Sequence, residues 1–227
     1  MSLYLTLELC AIIMPLALSF DKKVAFYKNW PVLFPSIVVT GSLFIVLDIY
    51  FTARGIWGFN PRYHSGIMIA NLPLEEWLFF LVIPYSSIFI HYVLISYFRP
   101  PFLTDLATRI ISALLIVILF LVIVFNHERT YTLFYSVVMI IALLAGIFDK
   151  TRVLNSFFIS FLVILIPFII INGILTGSFI PGEVVWYNGQ EIIGVRIFTI
   201  PVEDFVYGFS MIFINLLLMN YFRKILS

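Results

Sequence analysis

Seven long apolar stretches alternate with short polar segments along the chain. They cover residues 2–20, 31–53, 74–98, 107–126, 131–148, 153–177 and 202–222. A helix needs about 20 apolar residues to cross the roughly 30 Å hydrocarbon layer of a bilayer. Each stretch is close to that length, so the pattern predicts seven transmembrane helices. No basic residue precedes the first stretch and no clear cleavage site follows it, so we expect a membrane helix there rather than a signal peptide.

The composition supports a membrane protein and excludes several other classes. Of the 227 residues, 63% are apolar and only 11% are charged, whereas a soluble domain carries about 25% charged residues. The net charge of +1 comes without a basic run, so we expect no nucleic-acid partner. Cys10 is the single cysteine, which excludes an internal disulfide, and the three His residues are scattered, so no His/Cys metal site is expected.

Positive charges predict the orientation of the bundle. Nine of the 13 Lys and Arg residues fall on one side: Lys22, Lys23, Lys28, Arg99, Arg109, Lys150, Arg152, Arg223 and Lys224. The other four fall on the opposite side: Arg54, Arg62, Arg129 and Arg196. Because basic loops stay in the cytoplasm, we predict a protein of the cell (inner) membrane with its N-terminus outside and its C-terminus in the cytoplasm. Two long aromatic loops, 54–73 and 178–201, then lie outside and are typical of a lid or re-entrant segment.

The chain resembles itself at an offset of 128 residues without gaps. The sequence FDK at 20–22 falls on FDK at 148–150, and PLEE at 73–76 falls on PVED at 201–204. We therefore predict two parallel three-helix repeats, residues 1–100 and 130–227, joined by a linker helix within residues 101–129. Repeats related by an axis along the membrane normal bind ligands at their interface, so we expect the chemistry there.

Two adjacent acids open the third and the seventh predicted helices: Glu75 with Glu76, and Glu203 with Asp204. One interpretation is structural, because proline and carboxylates suit the first turn of a helix. The other is functional, because acids at a membrane boundary are costly and face a protein interior. Neighbours on a helix point about 100° apart, so we predict that Glu75 faces Glu203, or that Glu76 faces Asp204. Carboxyl groups facing one another in a dry pocket cannot all ionise, which provides a general acid and a base.

Asp48 is a further catalytic candidate. It lies about one turn from the end of the second stretch, on the same side as the acidic pairs. An intramembrane Asp is a functional candidate by default, although a structural partner such as Arg54 or a loop amide is an equally open interpretation.

Aromatic and loop residues near the acids form a predicted substrate-binding set. Aromatic faces stabilise carbocations, but with 25 Phe residues alone most aromatic side chains must serve ordinary packing. The predicted set is Trp57, Asn60, Pro73, Trp77, Phe80, Pro201 and Tyr207.

Three segments resemble a known family. They are LSFDKK at 18–23, FTARGIWGFNP at 51–61, and NLPLEE followed by a Phe pair at 71–80. Together they resemble the membrane-embedded carotenoid (lycopene) cyclase family, in the fused single-chain form of its heterodimeric bacterial type. The resemblance covers nearly all of the chain, and in the second half it is carried mainly by FDK at 148–150 and IPVED at 200–204.

This resemblance implies a lycopene β-cyclase, a redox-neutral intramolecular lyase or isomerase of carotenoid biosynthesis. A proton is added to the terminal double bond, the cation closes a ring, and a proton is removed, which converts lycopene to γ- and β-carotene without a cofactor. The family's acids correspond to Glu75, Glu76, Glu203 and Asp204. The implied partners are the lipophilic carotenoid and membrane lipid. A homo-oligomer or association with other carotenoid enzymes stays open, as does a longer carotenoid substrate.

A small-solute transporter is the alternative interpretation. Three helices, a linker helix and three helices are also the plan of the SWEET sugar carriers, which would place polar residues near the midplane and matching prolines in both halves. Here Pro35 and Pro167 are not equivalent positions, and the acids gather at one membrane boundary. A retinal protein is excluded because the seventh helix has no Lys between residues 202 and 222.

Overall fold

Seven helices form the protein, which is described here by a computed structural model covering residues 1–98 and 102–226. The helices are α1 (Leu3–Leu18), α2 (Trp30–Ala53), α3 (Leu74–Phe98), α4 (Asp105–Phe125), α5 (Thr130–Phe148), α6 (Leu154–Leu175) and α7 (Val202–Leu226). A short 3₁₀ helix, Phe26–Asn29, precedes α2. The predicted all-α polytopic membrane architecture is confirmed. Arg99, which entered the charge count, and the predicted boundary at residues 100–101 lie outside the described residues.

Six of the helices, α2 to α7, are long and apolar enough to cross a membrane. The remaining helix, α1, is shorter than its predicted stretch of residues 2–20. It has 16 residues and ends at Leu18. At 1.5 Å per residue it is about 24 Å long, less than the roughly 30 Å hydrocarbon layer. Ser2 caps its first turn by accepting a hydrogen bond from the backbone N–H of Leu5, which satisfies a donor that would otherwise be orphaned.

The two long loops contain short strands that the sequence analysis did not predict. The strands are β1 (Trp57–Phe59), β2 (Met68–Ile69), β3 (Leu72–Pro73), β4 (Val185–Tyr187), β5 (Arg196–Ile197) and β6 (Ile200–Pro201). β2 and β3 form one hairpin, β5 and β6 form another, and β1 pairs antiparallel with β4. Strands of two or three residues are too short to produce a period-two pattern in the sequence.

The two loops meet at a point of pseudo-twofold symmetry. In the β1–β4 pair, Gly58 lies opposite Trp186, while Trp57 pairs with Tyr187 and Phe59 with Val185. At the 128-residue offset this register maps onto itself, as in an isologous contact between two copies of one patch. The other strands, and α3 and α7, recur at the same offset.

Two apolar clusters form the core, one towards each end of the bundle. One contains Leu33, Ile88, Phe157 and Phe213. The other contains Tyr4, Phe44, Trp57 and Tyr135 and lies beneath the strands. α4 packs mainly against α5, and its exposed apolar face is what a lipid-facing helix requires. The division into two repeats and a linker helix stays a prediction.

Gly146 marks the tightest helix contact in this core. A Cβ added there would lie 2.7 Å from the ring of Phe213 and 2.9 Å from Leu154, and both neighbours are fully buried. Because neither side chain has space to move, we expect Gly146→Ala to destabilise the protein by about 1–3 kcal/mol. Gly189→Ala is the matched control, since a Cβ at Gly189 meets nothing within 4 Å. Thermal unfolding in detergent measures both; equal melting temperatures would contradict the expectation.

Candidate active site

An elongated cavity of about 350 Å³ lies between α1, α3, α6 and α7. Its walls are mostly apolar, and most of its polar groups gather at the end near the loops. Along α3 the lining runs from Glu76 to Ile90, which is about 21 Å at 1.5 Å per residue. The shape therefore suits a long, thin apolar molecule with one end among polar groups.

The cavity opens sideways through the surface of α1. Cys10 and Met14 line the cavity and are also exposed, with Met14 65% exposed. Neighbouring residues on this face, Leu9 and Ile13, are exposed apolar side chains. Such a surface suits lipid rather than water, so a mouth on this face would open towards the hydrocarbon layer.

Three carboxyl groups line the polar end of the cavity. Glu76 lies on α3, Asp204 lies at the equivalent position of α7, and Asp48 lies on α2. Each is at most 5% exposed. The structure thus brings together one acid from each predicted acidic pair and the isolated Asp48.

Asp204 is surrounded by hydrogen-bond donors. Its Oδ1 accepts from the Tyr131 phenol at 3.1 Å, and its Oδ2 accepts from the Asn172 amide and from the Tyr187 phenol, both at 2.9 Å. Three donors stabilise a buried carboxylate. These donors come from α5, α6 and β4, so the folded arrangement of several elements creates this environment.

Glu76 and Asp48 have fewer donors. The Tyr4 phenol donates to Glu76 Oε2 at 2.6 Å, and the Tyr135 phenol donates to Asp48 Oδ1 at 3.3 Å. No described residue donates to the second oxygen of Asp48. Its partner is therefore a phenol of α5, and neither Arg54 nor a loop amide, the structural partners considered from the sequence.

The other acid of each pair binds a loop. Glu75 Oε1 accepts from the Ser65 backbone N–H at 2.6 Å and from the Ser2 hydroxyl at 2.7 Å. Glu203 Oε1 accepts from the Ile193 backbone N–H at 2.7 Å and from the Thr132 hydroxyl at 2.6 Å. Neither Glu75 nor Glu203 lines the cavity.

Tight hairpins place the loop amides over these acids. Ala70 and Asn71 both adopt positive φ, 48° and 57°, the backbone combination of a type I′ turn that joins two strands directly. The turn brings the chain back so that the Leu74 N–H donates to the Ile67 carbonyl at 2.9 Å. Ser65 then lies next to the start of α3. In the second half, the Val202 N–H donates to the Val195 carbonyl in the same way.

Tyr187 is a site phenol on strand β4, which lies in a loop outside the membrane-spanning helices. Burial, and then the nearby charge of Asp204, raise the pKa of the Tyr187 phenol well above its usual value. Tyr187 therefore keeps its proton and remains a hydrogen-bond donor to Asp204 over the whole physiological pH range.

The predicted substrate-binding residues separate into two groups. Trp57 and Tyr207 line the cavity. The remaining ones, Asn60, Pro73, Trp77, Phe80 and Pro201, are not part of its wall. Asn60 links the loops through its N–H to the Val184 carbonyl, Trp77 donates to the Ile69 carbonyl, and Phe80 belongs to the apolar core. Pro73 and Pro201 lie buried in β3 and β6.

The sequence analysis missed the donors to the acids and one buried acid. Tyr4, Tyr131, Asn172 and Tyr187 were not singled out. Nor was Glu8 of α1, which is 2% exposed and has no hydrogen-bond partner among the described residues. A carboxyl group in an apolar helix was the available signal for Glu8. The tyrosines gave none, since 12 are scattered along the chain.

The site can exchange protons in an apolar space. Three carboxyl groups line the end of a cavity with mostly apolar walls, and several like charges in an apolar space are unfavourable. Within residues 1–98 and 102–226, no group of three His, Cys, Asp or Glu side chains is arranged to hold a metal ion. The rings of Trp57, Phe79 and Tyr207 also line the cavity and present π faces that attract positive charge.

Comparison with known proteins identifies related sequences. The family model described as lycopene cyclase matches residues 1–94 and 128–222, one match for each half of the chain. A bifunctional lycopene cyclase/phytoene synthase from Phycomyces blakesleeanus is 40% identical over 63 residues, which is 27% of this chain. The match spans only 10% of that fungal protein. No solved structure matches the chain.

The loop contacts of Glu75 and Glu203 can be tested by hydrogen exchange. A hydrogen bond to a charged group contributes about 1.5–3 kcal/mol, so we expect Glu75→Ala to accelerate exchange of the Ser65 amide by roughly 10- to 100-fold. Glu203→Ala should do the same for the Ile193 amide and leave Ser65 unchanged. Each variant is the control for the other. Unchanged protection of Ser65 in Glu75→Ala would contradict the assigned anchor.

Proposed function

The chain belongs to the lycopene cyclase family, and we propose that it cyclises the acyclic ends of lycopene to β-ionone rings by acid–base chemistry inside the membrane. The reaction is an isomerisation: a proton is added to the terminal double bond, the resulting cation closes the ring, and a neighbouring C–H proton is removed. One proton enters and one leaves, so the atoms balance without an oxidant or a reductant.

The observation that carries this proposal is the position of the acids. Glu76, Asp204 and Asp48 stand together at one end of a narrow apolar cavity about 21 Å long. A linear polyene placed along the cavity would present its terminal double bond to these carboxyl groups. Polar groups at one end and hydrocarbon walls elsewhere match a substrate that reacts only at its ends.

We assign the roles from the hydrogen bonds. Asp204, with three donors, is the group best stabilised as a carboxylate, and it acts as the base that removes the proton. Glu76 and Asp48 have one donor each, and one of them protonates the double bond. Asp204 and the acid that protonates the double bond thus lie in different hydrogen-bond environments, as proton-transfer catalysts require.

The aromatic side chains of the cavity wall stabilise the cation, and the apolar cavity protects it from water. A ring face stabilises a nearby positive charge by about 0.5–2 kcal/mol, and Trp57, Phe79 and Tyr207 surround the reacting end. Excluding water also prevents hydration of the cation, which would give an alcohol instead of a ring.

In this proposal, only the three acids that line the cavity remain catalytic candidates among the five acids predicted from the sequence. Asp204 and either Glu76 or Asp48 transfer the protons, whereas Glu75 and Glu203 hold the loops that close the outer end of the cavity. Trp57 and Tyr207 remain proposed substrate contacts. Asn60, Pro73, Trp77, Phe80 and Pro201 act by supporting the loops and the core.

The proposal also includes the route of the substrate, the orientation of the chain in the membrane and its organisation in repeats. Lycopene reaches the mouth at Cys10 and Met14 directly from the bilayer, and the N-terminus lies outside the cell membrane. The chain is a fused form of the two-subunit type, with repeats at 1–100 and 130–227 around a linker helix. Its match covers about a tenth of the fungal relative's length, and the proposal is limited to the cyclase reaction.

Expression in bacteria that make lycopene tests the function. We expect the red pigment to turn orange-yellow, and chromatography to reveal γ- and β-carotene, because the chain supplies the missing cyclisation. Cells with the empty vector are the control. Unchanged lycopene beside a folded, membrane-inserted chain would contradict the proposal.

Substitution of the cavity acids tests the mechanism. General acid–base catalysis contributes roughly 10²- to 10⁴-fold in rate, so Asp204→Asn should reduce carotene formation by at least about that lower factor. Either Glu76→Gln or Asp48→Asn should do the same, which identifies the acid that protonates the double bond. Glu75→Gln is the matched control, the same exchange one position away, and should keep most of the activity. Protein levels in the membrane and size-exclusion profiles verify folding. A Glu75→Gln variant as inactive as Asp204→Asn would refute the division of roles.

A further inference from the structure

The pseudo-twofold relation offers two equivalent positions for a pocket. The cavity described above lies beside α1 and α6. The equivalent position lies on the other side of α3 and α7, beside α5 and α2. Glu76 and Asp204 are equivalent residues and both line the open cavity, so the other lining residues decide which side can accept a substrate.

The third acid and the amide of the open cavity have no like counterpart at the equivalent positions. At the 128-residue offset, Asp48 corresponds to Thr176 and Asn172 corresponds to Phe44. The Thr176 hydroxyl is already engaged with the Asn172 carbonyl at 2.8 Å. The third acid and the amide donor therefore occur once, on the side of the open cavity.

The side chain of Phe44 fills the equivalent position. Phe44 is fully buried, and its ring packs 6.1 Å from the Tyr135 ring and 5.3 Å from the Tyr207 ring, centroid to centroid. An apolar side chain in close-packed surroundings leaves no space for a polyene.

Small residues bring α2 close enough for this packing. Ser36 and Thr40 of α2 are buried, and α2 makes its most extensive helix contact with α7. Their equivalents on α6 are the larger Ile164 and Phe168, which line the open cavity. The two sides thus differ in side-chain size. On one side α2 packs closely against α7, whereas on the other side α6 leaves space for the cavity.

We infer that the chain has one productive pocket and cyclises one end of its substrate in each binding event. This inference rests on the proposed function. A linear polyene carries its two ends at opposite extremes, so only one end reaches the acids while the other points towards the mouth. The second ring then requires that the monocyclic product leaves through the mouth at Cys10 and Met14, reverses, and enters again.

The order of products tests this inference. Purified chain in detergent micelles receives a large molar excess of lycopene, and the products are separated by chromatography over time. We expect monocyclic carotene to predominate first and dicyclic carotene to appear after a lag, because fresh lycopene outcompetes the released intermediate. Dicyclic product without a lag would overturn the inference. If no cyclised product forms at all, the proposed function itself fails.

A variant of the open pocket gives a second, independent test. Asn172→Phe places in the open cavity the residue that fills its equivalent position. If both rings form in one pocket, this variant loses monocyclic and dicyclic products together. If the second position were productive, monocyclic carotene would still accumulate, and the inference would be wrong. The parent chain and a size-exclusion profile are the controls for folding.

Discussion

The burial of carboxyl groups in an apolar helix bundle is the constraint on which the rest of the structure depends. A buried acid costs several kcal/mol unless donors surround it, and here the donors to the cavity acids are phenols and one amide from other helices and from a loop strand. Phenols satisfy an acid without introducing a full positive charge. In the reaction that we propose, the acids therefore remain available for proton transfer, whereas an Arg or Lys partner would fix them as ion pairs.

Helix geometry directs the side chains of adjacent acids to different places. Because Glu75 and Glu76 point about 100° apart, one can bind the loop while the other enters the cavity. The same division recurs with Glu203 and Asp204. The structural and functional interpretations of the acidic motif are thus both needed: the first acid of each pair anchors a hairpin above the site, and we propose that the second performs the chemistry beneath it.

The sequence predicts the fold better than the site. Apolar stretches of about 20 residues fix the helices because the bilayer fixes their length. The bounds differ most at α7, which extends four residues beyond its predicted end, while α1 is too short to count among the six long helices. The paired acids and Asp48 were visible as charges in an apolar context. Tyr4, Tyr131 and Asn172 were not, because their function follows from proximity across helices rather than from spacing along one of them. The hairpin strands were missed because two residues carry no periodicity.

The two similar halves of the chain form an asymmetric site, because some equivalent positions hold different residues. Elements that recur at the 128-residue offset place Glu76 and Asp204 in equivalent positions, so two acids reach one cavity. Proton transfer to and from a hydrocarbon needs an acid and a base in unlike environments, which strict symmetry would forbid. Substitutions at the equivalent positions, Asp48 against Thr176 and Asn172 against Phe44, break the symmetry where the reaction that we propose requires it. The loop anchors Glu75 and Glu203 stay alike, because both hairpins need the same support.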